Sequence, residues 1–135
     1  MNLLDDLKTN NYAIIASNGY YSYEDGIKPV IGKINENIHY FKNLEVADKI
    51  VGKASAMLLT LSGVKKVYTR VLSKAGKEVF DKYGIECIFE NLVPFIFNRY
   101  GTGMCPMELV VKNIDDLNEA YISLNKKVEE MKNEK

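Results

Sequence analysis

The chain has no tryptophan, one histidine, two cysteines and three prolines among 135 residues. With His39 alone, no zinc site can be assembled from several imidazoles, and any Ser-His or Cys-His pair must use that one residue. Cys87 and Cys105 stand apart without a framework, so the expectation is two reduced thiols and not a disulfide-stapled secreted domain. Charge of either sign in excess is missing as well: Lys+Arg and Asp+Glu both number 18. Such balance gives no reason to expect a nucleic acid or an acidic membrane as partner. No stretch approaches the roughly 18 apolar residues of a membrane span. The N-terminus carries Asp5 and Asp6 and no long apolar run, unlike a signal peptide. A cytoplasmic location is therefore expected.

What is present is enough for a packed domain. Hydrophobic residues make up 47% and charged residues 27%, which supports a core and excludes a disordered chain. One domain spanning 1–135 is expected, with a frayed tail over 131–135. Leu3, Leu4 and Leu7 predict a helix over 2–10. Tyr12 to Ser17 reads as a strand, Asn18-Gly19 as a hairpin turn, and Tyr20 to Tyr23 as the return strand. Residues 28–37 read as a helix with Pro29 near its start, whereas 38–44 stays ambiguous. Ile50, Val51, Ala54, Met57, Leu58 and Leu61 recur with a helical period, predicting a helix over about 47–61 closed by Ser62-Gly63. A strand over 64–72 follows, then a helix over 74–83 capped by Ser73 and ended by Gly84. The strand 85–89, a short helix 106–112 and a last helix from Asp115 or Asp116 to about Lys132 complete the reading. Strands alternating with helices after an opening hairpin argue for an α/β fold, a mixed sheet covered by helices on both faces.

The densest chemistry lies in Asn98-Arg99-Tyr100-Gly101-Thr102-Gly103-Met104-Cys105-Pro106-Met107-Glu108. It reads as a glycine-rich turn leading into a helix, with Cys105 at the cap, Pro106 at the first position and Glu108 three residues after the cap. A thiol there faces the positive end of the helix dipole, which favours thiolate, so Cys105 is a candidate nucleophile. Glu108 is either a capping-box acid bonding back to its own cap amide or a site base. Arg99 beside Gly101 and Gly103 reads either as an anion site or as one side of a structural salt bridge, and the turn lacks the Gly-Lys-Ser/Thr ending of a phosphate loop. Lys53 sits near a helix start, where the dipole disfavours a cation, so it is either exposed to solvent or compensated by Asp48, Glu108 or a bound anion. His39 reads as packing or surface, Cys87 as a core thiol, and Tyr20, Tyr21 and Tyr23 as the aromatic faces of a hairpin.

Three segments carry a resemblance: Asp25 to Pro29 (DGIKP), Ala47 to Leu59 (ADKIVGKASAMLL), and Asn98 through Glu108. Together they resemble a family of small uncharacterised prokaryotic proteins with a cytidine deaminase-like fold, over nearly the whole chain. The resemblance implies a three-layer α/β/α sandwich with a mixed sheet. In active zinc deaminases one helix begins with His-x-Glu or Cys-x-Glu and the next with Pro-Cys-x-x-Cys. Here Val51-Gly52-Lys53 stands at the first motif, and in the second Cys105 matches one thiolate while Glu108 replaces the other. The resemblance thus implies the fold without the standard zinc site, and no cofactor is expected.

These readings converge on a protein that binds a small anionic or nucleotide-like ligand where two helix starts meet. Lys53, Arg99, Gly101 and Gly103 would bind it, with Cys105 and Glu108 as candidate nucleophile and base. Two alternatives stand beside it: a divergent deaminase or amidohydrolase acting on a base-like substrate, and a homodimeric interaction module.

Overall fold

The computed structural model describes residues 2–98 and 100–133. The local signals at helix ends are met closely. Helix α1 (Leu3–Asn10) starts where Asn2 Oδ1 accepts from Asp5 N at 3.1 Å, and buries Leu4 and Leu7. Strand β1 (Ile14–Ala16) turns through Asn18-Gly19 into β2 (Tyr21–Ser22). Helix α2 (Lys28–Glu36) has Pro29 in its first turn. Helix α4 (Lys74–Tyr83) starts at Ser73, whose Oγ accepts from Gly76 N at 3.0 Å, and stops at Gly84. Helix α6 (Leu117–Lys132) starts at Asp116, which accepts from Glu119 N at 2.8 Å. The starts of α1, α4 and α6 each place a short polar side chain on an amide that has no partner inside the helix.

One expectation is overturned. Residues 47–51 are not the beginning of a helix; they belong to strand β3 (Glu45–Val51), and helix α3 occupies only Lys53–Ser62. Val46, Ala47, Asp48 and Val51 are all buried in the centre of the sheet. A strand covered on both faces has no period-2 alternation, so its apolar run merges with the helical pattern that follows. Gly52 separates the two as the residue before α3. The strand after α4 is longer than expected: β5 runs Glu86–Val93. Helix α6 runs through Lys132, as the pattern predicts, and Asn133 closes it; residues 134–135 lie outside the described residues.

The sheet order is β2-β1-β3-β4-β5, with strand β4 spanning Lys66–Ser73. β1 is antiparallel to both neighbours, while β3, β4 and β5 are parallel. Parallel neighbours need crossovers, and α3 and α4 supply them. Because both steps run in the same direction along the sheet, right-handed crossovers place α3 and α4 on one face. There Val46, Val67 and Leu72 meet Met57, Leu58 and Leu59 of α3, Phe80 of α4 and Leu124 of α6 in one core. The other face carries α1 over Ala47, Ile15 and Tyr68. The helical cover is therefore unequal, with a single short helix on the second face.

Two side chains break the pleat of the central strands side by side. Asp48 Oδ1 accepts from Ile50 N at 3.3 Å, and Thr69 Oγ accepts from Val71 N at 3.3 Å; Asp48 and Thr69 are register partners. Val46 and Val51, like Val67 and Leu72, are five residues apart yet join the same core. The shift lets both strands end with an apolar residue under the helices, just before the chain enters α3 and α4.

Cys87 lies half-buried on β5, and burial pushes its thiol up to about 12. It is expected to stay unalkylated when the native protein is treated with iodoacetamide near neutral pH, and to react once the chain is denatured; peptide mass spectrometry reads both states.

Candidate functional site

The carboxyl ends of β3, β4 and β5 point toward the starts of α3 and α4 and toward the segment that follows β5. Such an edge is where open α/β sheets leave a crevice. Helix α5 (Pro106–Val111) closes it from the side. Its Glu108 is buried, and the carboxylate spans the start of α3: Oε1 accepts from Lys53 N at 2.8 Å and Oε2 from Ala54 N at 2.8 Å. Gly52 has no side chain to cap that helix, so a residue 56 positions away does it instead. Glu108 is thus a cap, but not of its own helix as the capping-box reading expects. The Cys105 amide, which that reading would pair with Glu108, donates to Ile96 O at 2.9 Å.

The approach is close enough to dictate glycine at 52. A Cβ there would come within 2.8 Å of the Cδ and both oxygens of Glu108. The backbone of Gly52 (φ −104°, ψ −168°) is extended and open to any residue, so the requirement is steric alone. Gly76 continues the contact on α4, where a Cβ would lie 3.1 Å from the carbonyl of Gly52. Gly52, Gly76 and Glu108 together set how tightly α3, α4 and α5 converge.

Lys53 opens α3, where its charge opposes the dipole. Three oxygen groups offset it: Glu108 on its amide, Lys112 O at 3.3 Å from Nζ, and the Asp115 carboxylate at 3.9 Å. Lys112 ends α5 on the same side. Among the described residues no carboxylate lies within 4.0 Å of its ammonium. A cleft of about 270 Å³ runs between these groups, bounded by Lys53, Lys112, Ser73, Glu78 and Glu108 on the polar side and by Phe95 and Met104 on the apolar side. A smaller hollow of about 120 Å³ adjoins it through Lys53, Ala75 and Glu78 and reaches Tyr83 and Asp115.

The sequence-derived candidates fall unevenly around this cleft. Lys53 and Glu108 meet in it. Cys105 stands half-buried at the start of α5, one turn before Glu108, with no side-chain capping bond. Gly101 (φ +68°) lies in a hairpin tip closed by the Phe97–Met104 bridge. Asn98 organises that tip: its Oδ1 accepts from Tyr100 N at 3.0 Å and Thr102 N at 3.2 Å, and Asn98 N donates to Gly103 O at 2.8 Å. Gly101 N donates to Asn98 O at 3.1 Å, so the amides of residues 100–102 are all engaged within the turn. Arg99 lies outside the described residues. Asp48, named as a partner for Lys53, is instead enclosed in the sheet. His39 is exposed on the turns before β3. Phe95 and Lys112 are the lining residues that the sequence reading misses. Lys112, four residues after Glu108, shares its helical face, and that spacing is the one available signal.

These residues do not fit a three-ligand zinc. Among the described residues no three side chains of His, Cys, Asp or Glu gather. Lys53 heads α3, and both oxygens of Glu108 already accept backbone protons. Among the described residues no helix is long and apolar enough to cross a membrane.

Comparison with known proteins agrees with this architecture. The model of a domain of unknown function, DUF1893, matches residues 2–128. The crystal structure of a DUF1893 family protein from Thermotoga maritima superposes with a TM-score of 0.82 at 28% identity, covering 92% of this chain and 86% of that one. No curated protein matches the sequence. The chain belongs to the DUF1893 family.

Proposed function

We propose that this DUF1893 protein binds a small, base-like anion in the cleft between the starts of α3 and α4 and the end of α5. The observation that carries the reading is that Lys112, whose ammonium has no carboxylate partner within 4.0 Å among the described residues, lines the same cleft as Phe95. A cation offers the ligand's charged group a partner, and an aromatic wall offers its ring a face. Lys53 adds a second cation and Ser73 a hydroxyl. A volume of about 270 Å³ suits a nucleobase or a compact nucleoside and is too small for an extended dinucleotide. The sheet order, with β1 antiparallel and β3 to β5 parallel, supports a cytidine deaminase-like arrangement in which such a ligand would sit at the helix starts. The divergent deaminase reading is weaker here, because it needs a free base and Glu108 is held at both oxygens.

Thermal-shift titration tests the proposal with uracil, cytosine and adenine, their 5′-monophosphates, and inorganic phosphate alone. A ligand at about 100 times its Kd stabilises by roughly 2.7 kcal/mol. The expected result is a melting-temperature rise of several degrees with at least one base-bearing anion, abolished by Lys112→Ala. No rise with any of these compounds overturns the reading. A rise with Lys112→Ala equal to wild type moves the site elsewhere.

A further inference from the structure

Strand β5 ends the sheet, yet it lacks most of the devices by which edge strands avoid pairing. It is eight residues long, contains no proline and no lysine, and none of its residues is buried. Its outer edge makes no backbone hydrogen bond among the described residues. Ile88 is 45% exposed and Leu92 42%. Ile88 pairs with Tyr68 and Leu92 with Leu72, so the two lie on opposite faces of the strand, and Phe95 and Phe97 follow it with rings that pack edge to face at 5.0 Å and remain open to water. An exposed apolar edge of this length is a template for another strand.

The two acids on β5, which would otherwise repel an incoming copy, are neutralised within the chain. Glu86 faces Lys66 at 3.6 Å. Glu90 is bound by Lys8 from α1 and by Arg70 at 3.4 Å, and these cations hold its carboxyl below the usual range. The chain as a whole carries no net charge, so two copies meet without long-range repulsion.

We infer that β5 pairs antiparallel with the β5 of a second copy across a two-fold axis, joining two five-stranded sheets into one of ten. A two-fold axis makes this edge its own complement: each bond that one strand donates is returned by the other. The antiparallel sense lays Phe95 and Phe97 of one copy along the Glu86–Ile88 end of its partner. That contact adds apolar area which strand pairing alone would not supply, toward the roughly 800 Å² per partner of a stable interface. The inference does not depend on the ligand reading, because the edge and the cleft are built from different residues apart from Phe95.

Light scattering of the full chain over the micromolar range, combined with amide hydrogen exchange, tests it. The wild type is expected at twice the chain mass, with alternate amides of residues 86–93 protected on both sides of the strand. Ile88→Lys with Leu92→Lys is expected to run at one chain mass, with an unchanged far-ultraviolet spectrum and exchange of those amides at least tenfold faster. Phe97→Ser, which leaves the strand intact, is expected to weaken the dimer tenfold or more. A wild type at one chain mass throughout overturns the inference. So does a dimer that survives all three substitutions with β5 exchange unaltered, which would place the contact elsewhere, for example at the exposed Tyr21 and Tyr23.

Discussion

Gly52→Ala is expected to destabilise the protein by about 3 kcal/mol, and Glu108→Ala by a similar amount, yet the double variant by much less than the sum. All three effects follow from one contact. A methyl group at 52 cannot coexist with the Glu108 carboxylate where it now lies, so the carboxylate must leave the two amides it caps. Removing the carboxylate outright strands the same amides, one of them buried, at the start of α3. In the double variant the methyl enters space that Glu108 has vacated, so only one of the two losses is felt. A coupling of at least about 1.5 kcal/mol is expected from the cycle. Thermal unfolding reads it, each single variant lowering the melting temperature by roughly 10 °C. Glu108→Gln keeps one acceptor and turns an NH2 toward an N–H, so it should fall between wild type and alanine. Additive losses would mean that the two residues act independently, against the geometry.

The second large effect is a pH dependence centred on Asp48. Its side chain is enclosed in the sheet between Ile14 and Thr69 in register. Burial pushes its carboxyl from 3.8 up to about 7, with the Asp25 charge adding to the rise and the Ile50 amide and Lys49 opposing it. The folded state therefore holds the proton more tightly than the unfolded chain. The stabilising contribution is complete below about pH 4, is lost as pH climbs toward 7, and is absent above that. The loss is on the order of 4 kcal/mol. Asp48→Asn keeps the Oδ1 acceptor for Ile50 N and removes the charge. It should be close to wild type at pH 4 and more stable by a few kcal/mol at pH 8. Urea unfolding at the two pH values measures the difference. A variant less stable than wild type at both would show that the ionised carboxylate has a partner that offsets its burial.

How much of this was legible beforehand varies with how local each signal is. The starts at Ser73 and Asp116, the stops at Gly63 and Gly84, and the hairpin at Asn18-Gly19 are set by side chains and backbone within a few residues. All of them stand where the pattern put them. The helix expected over 47–61 failed in its first part because β3 is central. Its burial on both faces comes from α1 on one side and the helical layer on the other, neither adjacent in sequence. The capping partner of Glu108 was misplaced for the same kind of reason. A capping box is a local motif, whereas the amides that Glu108 reaches belong to a helix begun 55 residues earlier.

The sequence by itself determined the alternation of helices and strands, the lack of a histidine-based metal set, and a thiol and a carboxylate at the start of one helix. Each depends on residue identity or on spacing within a turn or two. Only the tertiary structure decided that Glu108 faces α3, that Lys112 and Phe95 share a cleft with Lys53, that Asp48 is enclosed, and that β5 is left as an open edge. Those outcomes depend on strand order and on how closely helices pack. Packing brings together residues that lie far apart along the chain, with too little local pattern to announce them.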